Sequence, residues 1–196
     1  MQTLLFATHN QHKIRELAQL LGPEFAVLDL STFKDAPVIA ETGETFAVNA
    51  TLKAVGVSAG TSELVVADDS GLEVDALNGA PGVYSARFAG EGSTDAANVQ
   101  KLLTALGAAT ARSARFRCVL AVARLGNLIG LYEGTVEGVI AGAPRGNSGF
   151  GYDPVFIPHG MDKTFAEMSA DAKNQLSHRA KAVAALKSAL LNGSLA

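Results

Sequence analysis

Short apolar runs alternate with helical periodicities along the first third of the chain. Runs typical of buried strands lie at 3–7, 26–30 and 64–67, and helical spacing of apolar residues indicates helices over 13–21 and 46–59. In the first helix the repeat consists of Ile14, Leu17, Ala18 and Leu21, and Gly22-Pro23 ends it. This order predicts strands that are connected through helices.

The remainder of the chain adds a helix, two long strands and a last helix. The pattern predicts a helix over 95–106, strands over 114–125 and 128–140 joined by the turn Gly126-Asn127, and a short strand-like run at 155–157. Thr164 and Glu167 have capping-box spacing, and Ser177 is placed to cap a last helix. The inner face of that helix is predicted to use Val183, Leu186, Leu190 and Leu191. Together the elements predict one α/β domain over 1–196, with a mixed sheet covered by helices.

Composition and charge narrow the function classes. Of the 196 residues, 48% are hydrophobic, which is enough for a sizeable core without disulfides or structural metals. The 16 Lys and Arg against 19 Asp and Glu give a net charge of −3, which argues against a nucleic-acid polymer as the main partner. We recognise neither a basic leader nor a membrane-spanning run, and therefore expect a cytoplasmic protein with no membrane partner. The single cysteine, Cys118, is expected to be a small buried hydrophobe.

Polar residues follow the first predicted strand. Thr8, Asn10 and Lys13 supply a hydroxyl, an amide and an ammonium beside the free N–H groups of a helix start. Such a group of donors suits a polyphosphate. An ordinary Thr/Asn helix cap followed by a solvated lysine is the alternative for this segment.

Two adjacent acids end the third predicted strand. Asp68 and Asp69 repel each other and lose solvation there unless a cation or hydrogen-bond donors compensate them. Mg2+ is a suitable cation because it takes oxygen ligands and usually only one or two carboxylates. Glu41, just before the second helix, is a candidate second ligand if that helix start lies beside the third strand. An acidic turn is the alternative for the Asp pair.

Two more segments have residues suited to ligand binding. Lys53 lies one turn after Asn49 on the same helix face, and taken alone it is a surface lysine. The segment 148–154 interleaves Phe150 and Tyr152 with glycines. That pattern suits the stacking of a flat base, and it equally suits a tight turn with two core aromatics.

The predicted start of the last helix carries unusual charges for that position. His178 and Arg179 are unfavourable to the helix dipole, so a bound anion or base would explain them; a solvated helix start is the alternative. Other enzyme signatures are missing. Ser70 lies in Asp-Asp-Ser-Gly rather than a G-x-S-x-G elbow, and there is neither a Walker A loop nor a zinc-type set of Cys and His. A carboxylate-bound magnesium site is therefore the best chemical interpretation.

With these segments the chain resembles the inosine triphosphate pyrophosphatase family, in particular its bacterial dITP/XTP pyrophosphatase branch. The matching motifs, in chain order, are Thr8-x-Asn10-x-x-Lys13, Glu41-Thr42-Gly43, Asn49-Ala50-x-x-Lys53-Ala54, Ala67-Asp68-Asp69-Ser70-Gly71-Leu72, Ala80-Pro81-Gly82-Val83-Tyr84-Ser85-Ala86-Arg87, Gly149-Phe150-Gly151-Tyr152-Asp153-Pro154, Lys173 and Ser177-His178-Arg179. Their joint occurrence over nearly the whole chain is specific, whereas no single motif is. The short segment 107–114 is the main departure, and it concerns a loop.

The resemblance implies a fold and an activity. The implied fold is a long mixed sheet flanked by helices, with two lobes around a central cleft, in a homodimer. The implied activity is the Mg2+-dependent hydrolysis of ITP, dITP or XTP to the monophosphate and pyrophosphate, which removes non-standard purines from the nucleotide pool.

The resemblance also implies residue roles. Asp69, Asp68 and Lys53 would be catalytic, and Glu41 with Asp69 would bind the metal. The substrate-binding residues would be Thr8, His9, Asn10, Gln11, His12, Lys13, Ser70, Phe150, Gly151, Tyr152, Asp153, Lys173, His178 and Arg179.

Phosphoryl transfer requires charge neutralisation and an in-line water, and these residues fit that requirement. Lys13, Lys53 and Lys173 would offset the triphosphate charge. Asp69, or Asp68 through a shared water, would deprotonate the water that attacks the α-phosphorus, and the sequence does not separate the two.

The choice among purine substrates depends on the groups that face the base. Donors from His178 or Arg179 would pair with the 6-oxo group of hypoxanthine or xanthine and would face adenine unpaired. A nucleotide sensor without catalysis and a pyrophosphatase for modified pyrimidine triphosphates are the alternative functions.

Overall fold

The computed structural model describes residues 2–33, 36–193 and 195, and its strands form one mixed sheet. The strands are β1 (Gln2–Phe6), β2 (Phe25–Asp29), β3 (Leu64–Val74), β4 (Ser113–Arg124), β5 (Asn127–Ile140) and β6 (Phe156–Pro158). Their order is β2-β1-β3-β4-β5-β6. β1 pairs in parallel with β2 and β3, whereas β5 and β6 pair antiparallel. The predicted α/β class with a mixed sheet is confirmed.

Five α-helices lie within the described ranges and flank the strands. They are α1 (Gln11–Leu21), α2 (Phe46–Ser58), α3 (Asp95–Leu106), α4 (Ala170–Asn174) and α5 (His178–Leu191). α1 starts before its predicted start because the Asn10 side chain accepts hydrogen bonds from the backbone N–H groups of His12 (2.9 Å) and Lys13 (3.2 Å). Within the described ranges, no helix is long and apolar enough to cross a membrane.

The chain divides into two compact units. Unit 1 is formed by the described residues of Met1–Asp69, Cys118–Gly134 and Arg179–Ala196, and unit 2 by Ser70–Arg117 and Thr135–His178. The single domain expected over 1–196 stays a prediction.

Each unit has its own apolar core. In unit 1, buried side chains from β1, β3, β4, α1 and α5 pack together, among them Leu4, Val66, Leu120, Leu17 and Leu186. Cys118 belongs to this core and is fully buried, as predicted; burial raises the pKa of its thiol to about 12. In unit 2 the core includes a cluster of aromatic rings, with Phe116 and Phe156 centroids 4.7 Å apart.

The third strand does not end at the acidic pair. Instead of stopping after 67, β3 continues to Val74, so that Asp68 and Asp69 lie inside it. Both are buried, and lysine and arginine side chains neutralise them. That compensation allows two adjacent acids to occupy a buried strand.

Two smaller predictions also need correction. The turn between β4 and β5 is Leu125-Gly126 rather than Gly126-Asn127, and both residues have positive φ, as a two-residue hairpin turn of type I′ requires. In α5, Leu190 is buried but Leu191 is 63% exposed. Leu191 lies outside the face because the buried repeat runs from Val183 to Leu186 and Leu190.

The capping interaction of Glu167 is confirmed. The backbone N–H of Thr164 donates to the Glu167 carboxylate at 2.8 Å. It stabilises a single helical turn, Phe165–Glu167, rather than a long helix.

Candidate active site

A row of alternating charges in unit 1 links α1, β3 and α5. Lys13 Nζ lies 2.8 Å from Asp68 Oδ2, and Arg179 Nη2 lies 3.5 Å from the same oxygen. Arg179 Nη1 donates to Glu16 Oε2 at 2.5 Å. Arg179 and Asp68 are almost completely buried, so these contacts are weakly screened by water.

This row of charges holds Asp68 in its ionised form. Burial alone would raise the pKa of Asp68, but the positive charges of Lys13, Arg179 and Lys53 outweigh it. The pKa of Asp68 therefore lies well below its ordinary value, and the carboxylate is a weak proton acceptor.

Two carboxylates from distant parts of the chain meet at Lys53. Its Nζ, on α2, lies 3.2 Å from Glu41 Oε1 and 3.8 Å from Asp69 Oδ1. Glu41 precedes α2 and Asp69 lies in β3, so the contacts of Lys53 bring a residue before the second helix close to the third strand, as a shared cation site requires.

Asp69 differs from Asp68 in its pKa. Burial raises the pKa of Asp69 to about 6; Lys53 and Lys13 lower it in part, and the negative charge of Glu41 raises it again. The pair thus contains one carboxylate with a very low pKa and one whose pKa is near neutrality. Such a division of roles is typical of acid–base sites.

The Asp69 environment fits a bound cation. Asp69 Oδ2 is buried and makes no hydrogen bond within the described part of the chain. A hard cation would satisfy that oxygen, with Glu41 as a second ligand. No cluster of three or more His, Cys, Asp or Glu side chains suited to a metal occurs among the described residues, so the fit is to an ion that keeps waters or substrate oxygens as its other ligands.

The segment before α1 is more open. His9, Asn10, Gln11 and His12 are exposed, and Thr8 is half-buried. The Thr8 hydroxyl accepts from the Asn10 backbone N–H at 3.1 Å. The helix-cap interpretation of Asn10 is thus confirmed, whereas a merely solvated Lys13 is not, because Lys13 pairs with Asp68. The role of these residues toward phosphate stays a prediction.

The glycine-rich segment of unit 2 forms a tight turn. Asp153 Oδ2 accepts from the Phe150 backbone N–H at 2.9 Å and from Lys173 Nζ at 2.7 Å. The Lys173 ammonium also lies over the Phe150 ring, 5.1 Å from its centroid. Asp153 and Lys173 are therefore already paired with each other, and the half-buried Phe150 ring is the more accessible surface.

Other predicted residues of unit 2 also have internal contacts. The Tyr152 hydroxyl donates to the Ser85 carbonyl at 2.9 Å, and the Gly151 N–H donates to Asp95 Oδ2 at 2.7 Å. His178 stacks on Phe116, with ring centroids 4.7 Å apart and planes 10° apart.

These positions test several of the alternatives. The acidic turn at Asp68 and Asp69 is wrong, because both lie in a strand. A surface position for Lys53 is wrong, since its side chain is 13% exposed. A solvated start of the last helix is also wrong, because His178 and Arg179 are buried.

Glu16 belongs to the site and was not foreseen from the sequence. It lies in α1 one turn beyond Lys13 and reaches Arg179, which is distant in sequence. No periodicity or motif distinguishes it from an ordinary helical glutamate; only the fold brings the two together. Ser70, half-buried in β3, follows Asp69 directly and belongs to unit 2.

Comparison with known proteins finds relatives over nearly the whole chain. The model of the Ham1 family matches residues 4–189. A dITP/XTP pyrophosphatase of Bacillus licheniformis is 49% identical over 195 residues, which cover 98% of this chain and 99% of the relative. A dITP/XTP pyrophosphatase of Bacillus subtilis is 47% identical over 193 residues, 97% of this chain and 98% of the relative.

A solved structure shares the fold. The Staphylococcus aureus Ham1 protein has a TM-score of 0.89 and 41% identity, covering 98% of this chain and 100% of that one. Similarity therefore extends over nearly the whole chain rather than over a single motif.

Proposed function

The chain belongs to the Ham1 family, and on that premise we propose that it is a Mg2+-dependent nucleoside-triphosphate pyrophosphatase. Its substrates would be non-standard purine triphosphates, ITP, dITP and XTP, cleaved to the monophosphate and pyrophosphate. The names of the relatives support the substrate class. The observation that carries the proposal is the meeting of Glu41 and Asp69 at one half-buried ammonium, next to a third carboxylate, Asp68, that is fully ionised.

Glu41 and Asp69 are the residues that would hold Mg2+. When bound, the ion supplies positive charge to the phosphate oxygens as negative charge develops in the transition state. The buried Asp69 Oδ2, which makes no hydrogen bond within the described ranges, supports this assignment.

Lys13 and Lys53 supply charge that belongs to the protein itself. Each ammonium has three N–H donors; Lys13 contacts one carboxylate of the chain at 2.8 Å, and Lys53 contacts two, at 3.2 and 3.8 Å. A triphosphate would take up remaining donors, and Asp68 would hold Lys13 in place while it does so. Asp68 must stay ionised because it holds the Lys13 ammonium through its negative charge.

Asp69 is the better proton acceptor. A base works best when its pKa lies near the working pH, and burial raises the pKa of Asp69 to about 6. Asp68, between Lys13 and Arg179, has too low a pKa for that task. We therefore assign deprotonation of the attacking water to Asp69 and the orientation of Lys13 to Asp68.

The remaining assignments stay predictions of the resemblance. They are nucleotide binding by Ser70, Phe150, Gly151, Tyr152, Asp153, Lys173, His178 and Arg179, the homodimer, and the cytoplasmic location. In the structure the Arg179 guanidinium contacts Glu16 and Asp68, and His178 stacks on Phe116. A role of either in reading the purine 6-oxo group would have to operate alongside those contacts.

One assay tests the proposal. Purified protein with Mg2+ is incubated in 18O-labelled water with ITP, dITP, XTP, ATP, GTP and a modified pyrimidine triphosphate, and the products are identified by mass spectrometry. The expected result is pyrophosphate plus an 18O-labelled monophosphate from the three non-standard purines. Label in inorganic phosphate with a diphosphate product would contradict attack on the α-phosphorus. Tight ITP binding without any cleavage would indicate a sensor instead.

A further inference from the structure

Asn49 is a fully buried amide at the point where the two candidate metal ligands meet. Its Oδ1 accepts the backbone N–H of Gly43 at 2.7 Å. Gly43 follows Glu41 by two residues, so this bond ties the segment that carries Glu41 to α2. Because the oxygen end of the amide is fixed, the direction of its NH2 end is fixed as well.

Asn49 also lies near the Asp69 carboxylate. Asn49 lies one turn before Lys53 on α2, and Lys53 contacts Asp69 at 3.8 Å. Asn49 Nδ2 is buried and makes no hydrogen bond of standard geometry within the described residues, and the same holds for Asp69 Oδ2. The two groups are nevertheless close enough for the Asn49 side chain to lower the pKa of Asp69.

A buried donor and a buried acceptor next to each other, neither with a regular hydrogen bond, are costly unless they serve a site. A cation on Asp69 would draw the carboxylate toward its ligand position. The amide then offers a donor to that carboxylate without adding a competing charge. Outer partners of this kind orient the groups that ligate a metal.

We infer that Asn49 is a positioning residue that joins the Glu41 segment to Asp69 and thereby pre-arranges both carboxylates for a divalent cation. The inference rests on the proposed metal site and assigns it a partner outside the ligands themselves. One side chain spans two segments that are far apart in sequence, and neither the spacing of the motifs nor their chemistry reveals that bridge.

Gly43 gives a second way to disturb the contact between Asn49 and the Glu41 segment. A Cβ at this position would lie 2.8 Å from Asn49 Oδ1 and 2.5 Å from Val48 Cγ1. Gly43→Ala therefore forces the amide or the Glu41 segment to move while Asn49 itself remains. Gly43→Ala thus disturbs the hydrogen bond from the Gly43 side, and a substitution of Asn49 disturbs it from the side of the amide.

The test compares metal affinity with stability. Asn49→Leu keeps a similar volume and removes both ends of the amide. Asn98→Leu is the matched control: Asn98 is a buried amide of unit 2 whose Oδ1 accepts from the Ala89 N–H at 2.7 Å. Mn2+ binding to the nucleotide-free protein is measured by calorimetry, and thermal unfolding is recorded in EDTA and with Mn2+.

The expected result is a Kd for Mn2+ that rises about 10- to 100-fold in Asn49→Leu and also rises in Gly43→Ala, as for other outer partners of metal ligands. In Asn98→Leu the Tm falls while the Kd of the folded protein stays within twofold of the wild-type value. If Asn49→Leu is too unstable to measure, Gly43→Ala decides the question. A Kd within twofold of wild type in the decisive variant overturns the inference. If the wild-type protein binds no Mn2+ with or without tripolyphosphate, the metal site itself is wrong, and the inference falls with it.

Discussion

Replacing Lys53 by methionine removes an ammonium that contacts both Glu41 and Asp69. In the metal-free protein the two carboxylates then lose a shared positive charge. Because the negative charge of Glu41 already raises the pKa of Asp69 and Lys53 opposes that effect, the mutation leaves the repulsion uncompensated. We expect the variant to be less stable without metal and to gain more stability from Mg2+ than the wild type.

The size of the effect follows from exposure. The side chains of Lys53 and Asp69 are 13% and 9% exposed, so water screens that pair weakly, whereas Glu41 at 34% is better screened. One pair near 4 Å contributes about 4 kcal/mol at an effective dielectric constant of about 20. Methionine avoids the desolvation of a buried ammonium, which reduces the net loss to about 1–3 kcal/mol. For a chain of this length, that corresponds to a fall in Tm of roughly 3–10 °C.

Thermal unfolding at pH 8, in EDTA and then with Mg2+, measures both quantities. Lys187→Met is the control, because Lys187 makes a surface pair with Glu24 at 3.4 Å, and such pairs contribute little. If the Lys53 variant were as stable as the wild type in EDTA and gained no more from Mg2+, the interpretation of Lys53 as the ammonium that compensates Glu41 and Asp69 in the absence of metal would be refuted.

Three further predictions concern the base, its ionisation and the turn of unit 2. Asp69→Asn should lower kcat at least about 100-fold without lowering the Tm, and a near-normal rate would exclude Asp69 as the proton acceptor. Burial raises the pKa of Asp69 to about 6, and only the ionised carboxylate accepts a proton or binds a metal. At low Mg2+ concentration kcat/KM should therefore fall about tenfold per pH unit below pH 6, and a higher Mg2+ concentration should move that fall to lower pH. A kcat/KM that is independent of pH between 5 and 7 would contradict this prediction. Gly149→Ala should lower the free energy of unfolding by about 1–3 kcal/mol, because Gly149 has a φ of +78° and a Cβ there would collide with the Asp153 carboxylate. Urea unfolding measures this loss, and an unchanged free energy of unfolding would contradict the prediction.

Much of the fold could be predicted because hydrophobic periodicity reports directly on local structure. α2 and α3 lie within one residue of their predicted bounds. Prediction failed at β3, where two adjacent acids indicate the end of a strand when only local sequence is considered. The cations that neutralise them, Lys13, Lys53 and Arg179, come from three different helices, and only the tertiary structure shows that compensation.

The candidate site shows the same difference between local and long-range information. Chemical type was sufficient to select Asp69 and to make Glu41 a candidate, whereas Lys53 was selected through the family resemblance; the structure brings these three together. The contact of Glu16 with Arg179 was not predictable, because it depends on α1 and α5 packing in one core. Residue type alone also does not show whether a charged side chain is free for a ligand, because Lys173 and Arg179 both pair with carboxylates of the chain itself.

The most direct measurement of the central claim is anomalous diffraction from a crystal grown with Mn2+ and a non-hydrolysable ITP analogue. The account predicts a manganese peak bound by carboxylate oxygens of both Glu41 and Asp69 and by the triphosphate, with Lys53 displaced from at least one of the two carboxylates. A manganese ion bound to the triphosphate but to neither Glu41 nor Asp69 would contradict it.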